Sequence, residues 1–285
     1  MERQKRALAI HDISCVGRCS LTVALPIISA AGVDTGVLPT SILSTHTGGF
    51  EGYTFRDLTE DLIPIANHWK SLNLRFDALY SGFLGSFEQI DLVAQIFDDF
   101  RTPDTLIMVD PVMADNGVLY SIYSPEMAKG MAKLCAKADI VVPNLTEAAF
   151  ILDEPYKGER RSPAEVEDIL KKLVGLGPKQ AVLTGISFAE GRLGAACYDK
   201  EEGEMSYFDG ELIEGYYHGT GDVFGSALLG GLLCGMSLER ATKLAVDYTN
   251  LSIVLTKQLG QERRYGVCFE RALPFYIREL GLDKA

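Results

Sequence analysis

A glycine-rich segment in the last third of the chain has residue types suited to holding an anion. Residues 218–225 read HGTGDVFG, and a run of small and apolar residues at 226–235 follows and predicts a helix. Glycine can adopt positive φ and let the backbone approach a ligand closely. The free N–H groups at a helix start, together with the helix dipole, favour a negative charge there. The segment therefore predicts a cradle for a phosphoryl group.

Asp222 lies in the first turn of this predicted helix. One interpretation is a carboxylate that only complements the helix dipole. The other is a general base that accepts a proton from an attacking hydroxyl group. The local sequence leaves both interpretations open.

Two common nucleotide-binding motifs are absent or displaced. The chain contains no Gly-Lys dipeptide, which excludes the phosphate loop G-x-x-x-x-G-K-[ST]. The spacing G-x-G-x-x-x-G at 219–225 differs by one residue from the dinucleotide fingerprint and does not follow a first strand. A phosphotransferase here would not be a P-loop kinase, and a nicotinamide-dependent dehydrogenase is disfavoured.

The elements that must position these residues alternate along the chain. Short apolar runs predict strands at 7–10, 37–43, 78–81, 105–109, 140–142, 181–184 and 193–198. Amphipathic stretches predict helices near 22–31, 57–72, 87–100, 125–137, 164–173 and 223–235, and Ser162 with Glu165 resembles a helix-capping pair. This alternation predicts right-handed βαβ units and a mostly parallel sheet with helices on both faces. No linker or internal repeat is visible, so we expect one domain over residues 1–285.

Polar and small residues follow the predicted strands. They are His11-Asp12, the segment STHTGG at 44–49, Gly82-Phe83, Asp110-Pro111, Pro143-Asn144 and Gly185. Part of this pattern is ordinary turn punctuation. Ligands of open α/β sheets bind beyond the carboxyl ends of the strands, so the carboxylates and His46 indicate a site at that edge.

Composition narrows the class of protein. The chain has 285 residues, and its hydrophobic fraction of 47% is typical of a globular protein. Its net charge of −12 disfavours nucleic acid and anionic membranes as partners. No stretch is long enough for a membrane helix or a signal peptide, and the six cysteines form no C-x-x-C pair. We therefore expect a cytoplasmic protein without a cysteine metal site.

The motifs together resemble the ribokinase-like superfamily, and its pyridoxal kinase branch in particular. They are GTGD at 219–222, DPVMADNG at 110–117, PNLTE at 143–147, SGFLGS at 81–86 and STHT at 44–47, and they occur in the family's order. The resemblance implies a three-layer α/β/α ribokinase-like fold with a mostly parallel central sheet. It also implies phosphorylation of the 5′-hydroxymethyl group of vitamin B6 with ATP and Mg²⁺, and a homodimer.

The resemblance further implies roles for the residues of the glycine-rich segment. Asp222 would deprotonate the substrate hydroxyl group, and the backbone N–H groups of Gly219, Thr220 and Gly221 would hold the charge of the transferring phosphoryl group. Residues 114–124 would form a flap over ATP that excludes water.

On the nucleotide side, the resemblance implies that Asp110 and Glu147 lie near Mg²⁺ and its waters. Asp115, Asn144 and Thr184 would lie along the nucleotide. Glu147 has a second interpretation, because Asn144 is a good N-cap and Glu147 would then be only an acid of the first helical turn.

On the substrate side, the resemblance implies that Thr47 binds substituents of the pyridine ring and that Phe83 flanks the ring. His46 either approaches the substrate or is a structural histidine. The chain departs from the family at Asp12, where pyridoxal kinases typically have a serine that meets the pyridine nitrogen. We expect Asp12 to pair with a protonated pyridinium nitrogen through a charge-assisted hydrogen bond.

Three alternatives stay open. A hydroxymethylpyrimidine (phosphate) kinase of thiamin synthesis shares the fold and most motifs, although that branch often has cysteine at the position of Asp222. A sugar kinase fits the segment at 110–113 less well. A pyridoxal phosphate carrier without catalysis would not need to retain Asp222.

Overall fold

The computed structural model describes residues 3–283, which form a central sheet covered by helices on both faces. The strands are β1 (Arg6–Val16), β2 (Asp34–Thr45), β3 (Phe55–Asp57), β4 (Ala78–Ser81), β5 (Leu106–Val109), β6 (Ala114–Asp115), β7 (Val118–Leu119), β8 (Ile140–Val141), β9 (Gln180–Ile186), β10 (Arg192–Asp199) and β11 (Met205–Glu211). The helices are α1 (Leu21–Ala30), α2 (Thr59–Ser71), α3 (Phe87–Phe100), α4 (Pro125–Cys135), α5 (Leu145–Ile151), α6 (Pro163–Gly175), α7 (Thr220–Leu233), α8 (Leu238–Gln258) and α9 (Phe269–Glu279).

The large sheet has nine strands in the order β11-β10-β9-β8-β5-β4-β1-β2-β3. Its six middle strands, from β9 to β2, pair in parallel, whereas β10, β11 and β3 add antiparallel edges. The carboxyl ends of the parallel strands therefore face one edge of the molecule, as the alternation of elements predicts. The predicted α/β class with a mostly parallel sheet is confirmed.

Two apolar layers hold the helices on the sheet. Leu8 and Ile10 of β1 pack with helices α2 to α6, whereas Ala7 and Ala9 of the same strand pack with α1, α7, α8 and α9. Successive residues of a strand point to opposite faces, so one buried strand serves both layers. This arrangement gives the three layers of helix, sheet and helix. That residues 1–285 form a single domain stays a prediction.

The strands that the sequence did not indicate are short or lie at the edge of the large sheet. Residues 55–57 form an exposed edge strand, and the following helix begins at Thr59 and not at residue 57. The edge strand β11 is only partly buried, and β6 with β7 forms a separate two-stranded hairpin. Such strands need few apolar residues, so the sequence pattern does not reveal them.

The predicted start of α6 is confirmed. The Ser162 hydroxyl accepts the backbone N–H of Glu165, and the Glu165 carboxylate accepts the backbone N–H of Ser162. None of the helices found between residues 3 and 283 is long and apolar enough to cross a membrane.

Candidate active site

The glycine-rich segment forms a tight turn at the start of α7. Gly219 is the N-cap residue with φ of 75°, and a Cβ atom there would collide with the carbonyl oxygen of Arg18. A Cβ atom at Gly221 would meet nothing within 4 Å, and Gly221 is exposed. The Thr220 hydroxyl donates to the carbonyl oxygen of Tyr217 at 3.3 Å. The turn is thus fixed from behind by residue 18, while its front is open to a ligand.

Asp222 projects from the first turn of α7 and is partly exposed. Burial raises the pKa of its carboxyl group to about 7. The negative charge of Asp12 raises this pKa further, whereas the backbone N–H of Ser20 lowers it by stabilising the carboxylate. A base with a pKa near the working pH is suited to proton transfer.

Asp110 directly follows β5 and is 6% exposed. Its backbone N–H donates to the carbonyl oxygen of Ser81 at 2.9 Å, which ties it to the neighbouring strand β4. Burial and then the negative charges of Glu147 and Asp222 raise the pKa of Asp110 well above its usual range. The three carboxyl groups, one after a strand and two in first turns of helices, therefore lie within electrostatic reach of one another.

Glu147 lies in the first turn of α5 and is 4% exposed. Its Oε2 accepts the backbone N–H of Asn144 at 2.8 Å, and its Oε1 accepts that of Met113 at 3.2 Å. Burial raises the pKa of Glu147, although these N–H groups lower it. Glu147 is thus a capping residue of α5 that also ties the segment after Asp110 to this helix. Its role near a metal ion stays a prediction.

Asn144 is the N-cap of α5, and its side chain is engaged at both ends. Its Oδ1 accepts the backbone N–H groups of Thr146 at 2.8 Å and Glu147 at 2.9 Å, and its Nδ2 donates to the carbonyl oxygen of Ala114 at 2.9 Å. Thr184 forms an isolated bridge beside Asn144, and its hydroxyl donates to the carbonyl oxygen of Pro143 at 3.4 Å. Both residues lie together at one strand edge, where their predicted contact with nucleotide phosphates would occur.

The predicted flap is a hairpin formed by β6 and β7. Asn116 and Gly117 have φ of 51° and 80° and make its turn. Gly117 donates its backbone N–H to the hydroxyl of Thr146 at 3.0 Å, which anchors the hairpin on α5. Asp115 is partly buried, and burial followed by the charge of Asp115 raises the pKa of Tyr216, so the hairpin lies near the segment before the glycine-rich turn.

Asp12 lies within β1, between His11 and Ile13, where the pairing with β2 shifts register, and is 5% exposed. Its Oδ1 accepts the hydroxyl of Ser20 and its Oδ2 accepts that of Ser14 at 3.4 Å. Burial raises the pKa of Asp12 to about 6, and these hydrogen bonds lower it. Within residues 3–283, only hydrogen bonds and no ion pair stabilise the buried Asp12 carboxylate.

His46 is buried at 6% exposure at the start of the loop after β2. Its Nε2 lies 2.6 Å from the carbonyl oxygen of Arg264, and its Nδ1 accepts the backbone N–H of Gly48 at 3.2 Å. Both ring nitrogens of His46 have a hydrogen-bond partner, which fits a structural histidine. The neighbouring Thr47 is exposed. Phe83 is half-buried with its ring 6.1 Å from that of Tyr123, so one side of it packs on the core.

Sequence reasoning missed three residues that lie among the carboxyl groups. Ser20 hydrogen-bonds to Asp12 and lies close enough to Asp222 to stabilise its charge, and burial followed by the charges of Asp222 and Asp12 raises the pKa of the Cys19 thiol. Tyr80 is fully buried, and its pKa is raised first by burial and then by Asp110 and Asp222. The only signal was that residues 17–20 precede a predicted helix beside the first strand, which does not predict a side-chain contact.

The buried carboxylates Asp110 and Glu147 are the candidate ligands for Mg²⁺. Among residues 3–283, no three His, Cys, Asp or Glu side chains are arranged to hold a metal ion. Mg²⁺ commonly binds one or two carboxylates and completes its shell with waters and substrate phosphates. Asp110 and Glu147 are buried and repel each other, and a divalent cation would offset this repulsion. The pair therefore fits Mg²⁺ held with the help of water and phosphate oxygens.

Two solved structures resemble this chain over nearly its whole length. A Bacteroides thetaiotaomicron protein described as a phosphomethylpyrimidine kinase and crystallised with pyridoxal is 38% identical, with a TM-score of 0.91 and 96% of each chain covered. Pyridoxal kinase from Lactobacillus plantarum is 30% identical, with a TM-score of 0.89, over 97% of this chain and 98% of that one.

Curated relatives are more distant. A bifunctional thiamine biosynthetic enzyme of Arabidopsis thaliana is 26% identical over 250 residues, which span 82% of this chain but only 44% of that enzyme. Several others at similar identity are named pyridoxal kinases. The sequence profile described as phosphomethylpyrimidine kinase matches residues 27–266. The chain therefore belongs to the phosphomethylpyrimidine kinase family, with the ribokinase-like fold.

Proposed function

We propose that this protein is an ATP-dependent kinase that phosphorylates the 5′-hydroxymethyl group of a B6 vitamer, that is, a pyridoxal kinase. The observation that carries the proposal is Asp222, a carboxylate with a pKa of about 7, at the open glycine turn that begins α7. The pyridoxal-containing structure at 38% identity and the pyridoxal kinase at 30% identity support the substrate class.

The proposed step is an in-line transfer of the γ-phosphoryl group. The substrate hydroxyl oxygen forms a bond to the γ-phosphorus, the bond from that phosphorus to the ADP oxygen breaks, and the hydroxyl proton passes to Asp222. The backbone N–H groups of Gly219, Thr220 and Gly221 donate to the phosphoryl oxygens as their charge develops. Because the turn is fixed by Arg18, these donors need little rearrangement during the reaction.

The nucleotide side of the proposal uses residues at the ends of β5, β8 and β9. Asp110 and Glu147 would hold Mg²⁺ through water and phosphate oxygens. Mg²⁺ neutralises phosphate charge in phosphoryl transfer. Asn144, Thr184 and Asp115 would border the phosphates, under the hairpin of β6 and β7.

The vitamer side of the proposal rests on Asp12. A protonated pyridine nitrogen would give this buried carboxylate a positive partner through a charge-assisted hydrogen bond. Phe83 would flank the ring with its exposed side, and Thr47 would bind a ring substituent. His46 would shape the pocket wall through its bonds to Arg264 and Gly48.

A second candidate function is phosphorylation of hydroxymethylpyrimidine or its phosphate. The description of the matching family profile favours it, and the same base and glycine turn would serve. The two substrate classes would interact differently with Asp12. An unprotonated ring nitrogen has no proton to donate, so it would make no hydrogen bond to the Asp12 carboxylate. We further propose that the protein is a homodimer in the cytoplasm. Light scattering of the purified protein tests whether it is a dimer.

Steady-state kinetics with pyridoxal, pyridoxine, pyridoxamine and hydroxymethylpyrimidine test the substrate class, using wild type and Asp12→Asn. We expect turnover of a B6 vitamer, and a KM for it that is about tenfold or more higher in the variant, since hydrogen bonds to charged groups contribute about 1.5–3 kcal/mol. Unchanged KM values for all vitamers would refute the role of Asp12. Turnover of the pyrimidine alone would move the protein to the second function.

A further inference from the structure

Ser20 has a backbone conformation that serine rarely adopts. Its φ is 57° and its ψ is −130°, close to the first central position of a type II′ turn, which glycine dominates. Ser20 is also buried, at 7% exposure. Residues other than glycine keep such a backbone conformation only where their surroundings enforce it, and such residues cluster at functional sites.

The hydroxyl of Ser20 does not cap the helix that Ser20 precedes, although a serine at the N-cap position normally does so. Ser20 is the N-cap residue of α1, and its carbonyl oxygen accepts the backbone N–H groups of Val23 at 3.0 Å and Ala24 at 2.9 Å. Its side chain, however, makes no capping bond to α1. It donates instead to Oδ1 of Asp12.

The backbone N–H of Ser20 serves the second carboxylate. It stabilises the ionised form of Asp222 and so lowers the pKa of that group. Ser20 therefore lies between the two carboxyl groups: it hydrogen-bonds to Asp12 within β1 and stabilises the charge of Asp222 at the start of α7. The ordinary helical or extended conformations would rotate the N–H relative to the side chain and break this pairing.

We propose that Ser20 is a positioning residue that holds Asp12 in place beside Asp222, with its hydroxyl on Asp12 and its constrained backbone facing Asp222. This inference rests on the proposed function, in which Asp222 is the base and Asp12 binds the substrate ring. In this view Ser20 sets the distance between the carboxyl groups of Asp12 and Asp222 without touching the substrate. That distance determines where the substrate's hydroxymethyl group lies relative to its ring nitrogen.

Other groups around the two carboxylates set the background for a pH test. Asp12 is faced by Ser14 of its own strand, Cys19 of the following loop, Asp222 of α7 and Tyr123 before α4. Asp222 is faced in addition by Tyr80 of β4 and Asp110 after β5. All the titratable members of this set are acids or thiols, so a hydroxyl donor from Ser20 is a main stabiliser of the Asp12 carboxylate.

The test uses Ser20→Ala, which removes the hydroxyl but keeps a Cβ and the constrained backbone, and Ser20→Gly, which also frees the backbone. Ser29→Ala is the control, because it removes an exposed serine hydroxyl from the same helix. We expect KM for the vitamer to rise about tenfold in both Ser20 variants, and kcat to fall further in Ser20→Gly because the N–H on Asp222 is no longer held. The acid limb of the pH profile of kcat/KM should move to higher pH, because Asp12 loses a bond that lowers its pKa.

A readout that does not depend on turnover separates this inference from the proposed function. The carboxyl ¹³C resonance of Asp12, assigned with Asp12→Asn, is titrated in wild type and in Ser20→Ala. We expect a higher titration midpoint in Ser20→Ala, whether or not B6 vitamers are substrates. A folded Ser20→Ala protein with the wild-type midpoint, or with the wild-type pH profile and KM, would overturn the inference, whereas absence of vitamer turnover in wild type overturns only the proposed function.

Discussion

Substitution of Gly219 by alanine tests whether the glycine turn is a rigid donor site. Gly219 has φ of 75° and ψ of 4°, and alanine in the left-handed region costs roughly 1–2 kcal/mol. The added Cβ would collide with the carbonyl oxygen of Arg18, and forcing an extra methyl group into such packing costs about 1–3 kcal/mol. Together these effects predict a loss of about 2–5 kcal/mol in the free energy of unfolding.

The predicted loss is measurable by calorimetry. With an unfolding entropy of about 2.1 cal/mol/K per residue, a chain of 285 residues loses roughly 3–8 °C in melting temperature. Relief of the clash would displace the turn from Arg18 and shift the N–H donors, and loss of one such donor typically lowers kcat by about 10²–10³-fold. We therefore expect kcat to fall by about that factor while the protein stays folded at 25 °C.

Gly175→Ala is the matched control. Gly175 ends α6, has no positive φ, and a Cβ there meets nothing within 4 Å. The control should be as stable as wild type or up to about 1 kcal/mol more stable, with unchanged kcat. Wild-type stability and kcat in Gly219→Ala would refute the reasoning, because they would show that the turn neither needs its conformation nor holds its donors rigidly.

Three further predictions follow from individual side chains. Because burial raises the pKa of Asp222 to about 7, the folded state binds more protons than the unfolded state between about pH 4 and 7, and this contribution to stability decreases as pH rises through 7; Asp222→Asn should therefore melt at a higher temperature than wild type at pH 8, and equal melting temperatures would contradict the pKa shift. Asn144→Ala and Ser162→Ala each remove a capping box, so both should lose about 0.5–2 kcal/mol of stability in urea unfolding, but only Asn144→Ala should lose kinase activity. The exposed thiol of Cys15 should react with iodoacetamide much faster than that of Cys19, whose pKa is raised by burial and by two carboxylates; equal rates by mass spectrometry would argue against the crowded acidic site.

The sequence predicted the elements that carry a strong apolar signal. The central strands and the helices on both faces follow from buried runs such as 78–81 and from the 3.6-residue period of stretches such as 87–100. Strands with mixed exposure, such as Phe55–Asp57 and Met205–Glu211, could not be found, because an edge strand needs no continuous apolar face.

The candidate site was predictable only where backbone position decides it. Asp110 and Asp222 fall at a strand end and a helix start, so the topology brings them together. The conformation of Ser20 depends on contacts with two carboxylates that are 8 and 202 residues away in the sequence, and no local pattern encodes these contacts. The hydrogen bond of His46 to the carbonyl oxygen of Arg264 is likewise tertiary.

The central claim is that Asp222 removes the proton from a B6 hydroxymethyl group during transfer of phosphate from ATP. The most direct measurement is phosphate transfer from Mg·ATP to pyridoxal, pyridoxine and pyridoxamine, with Asp222→Asn run beside wild type and product followed by ³¹P NMR. We predict turnover of at least one vitamer by wild type, and a loss of about 10²–10⁴-fold in kcat for the variant, the range that a general base contributes. An Asp222→Asn protein that transfers phosphate at a rate close to that of wild type would contradict the account.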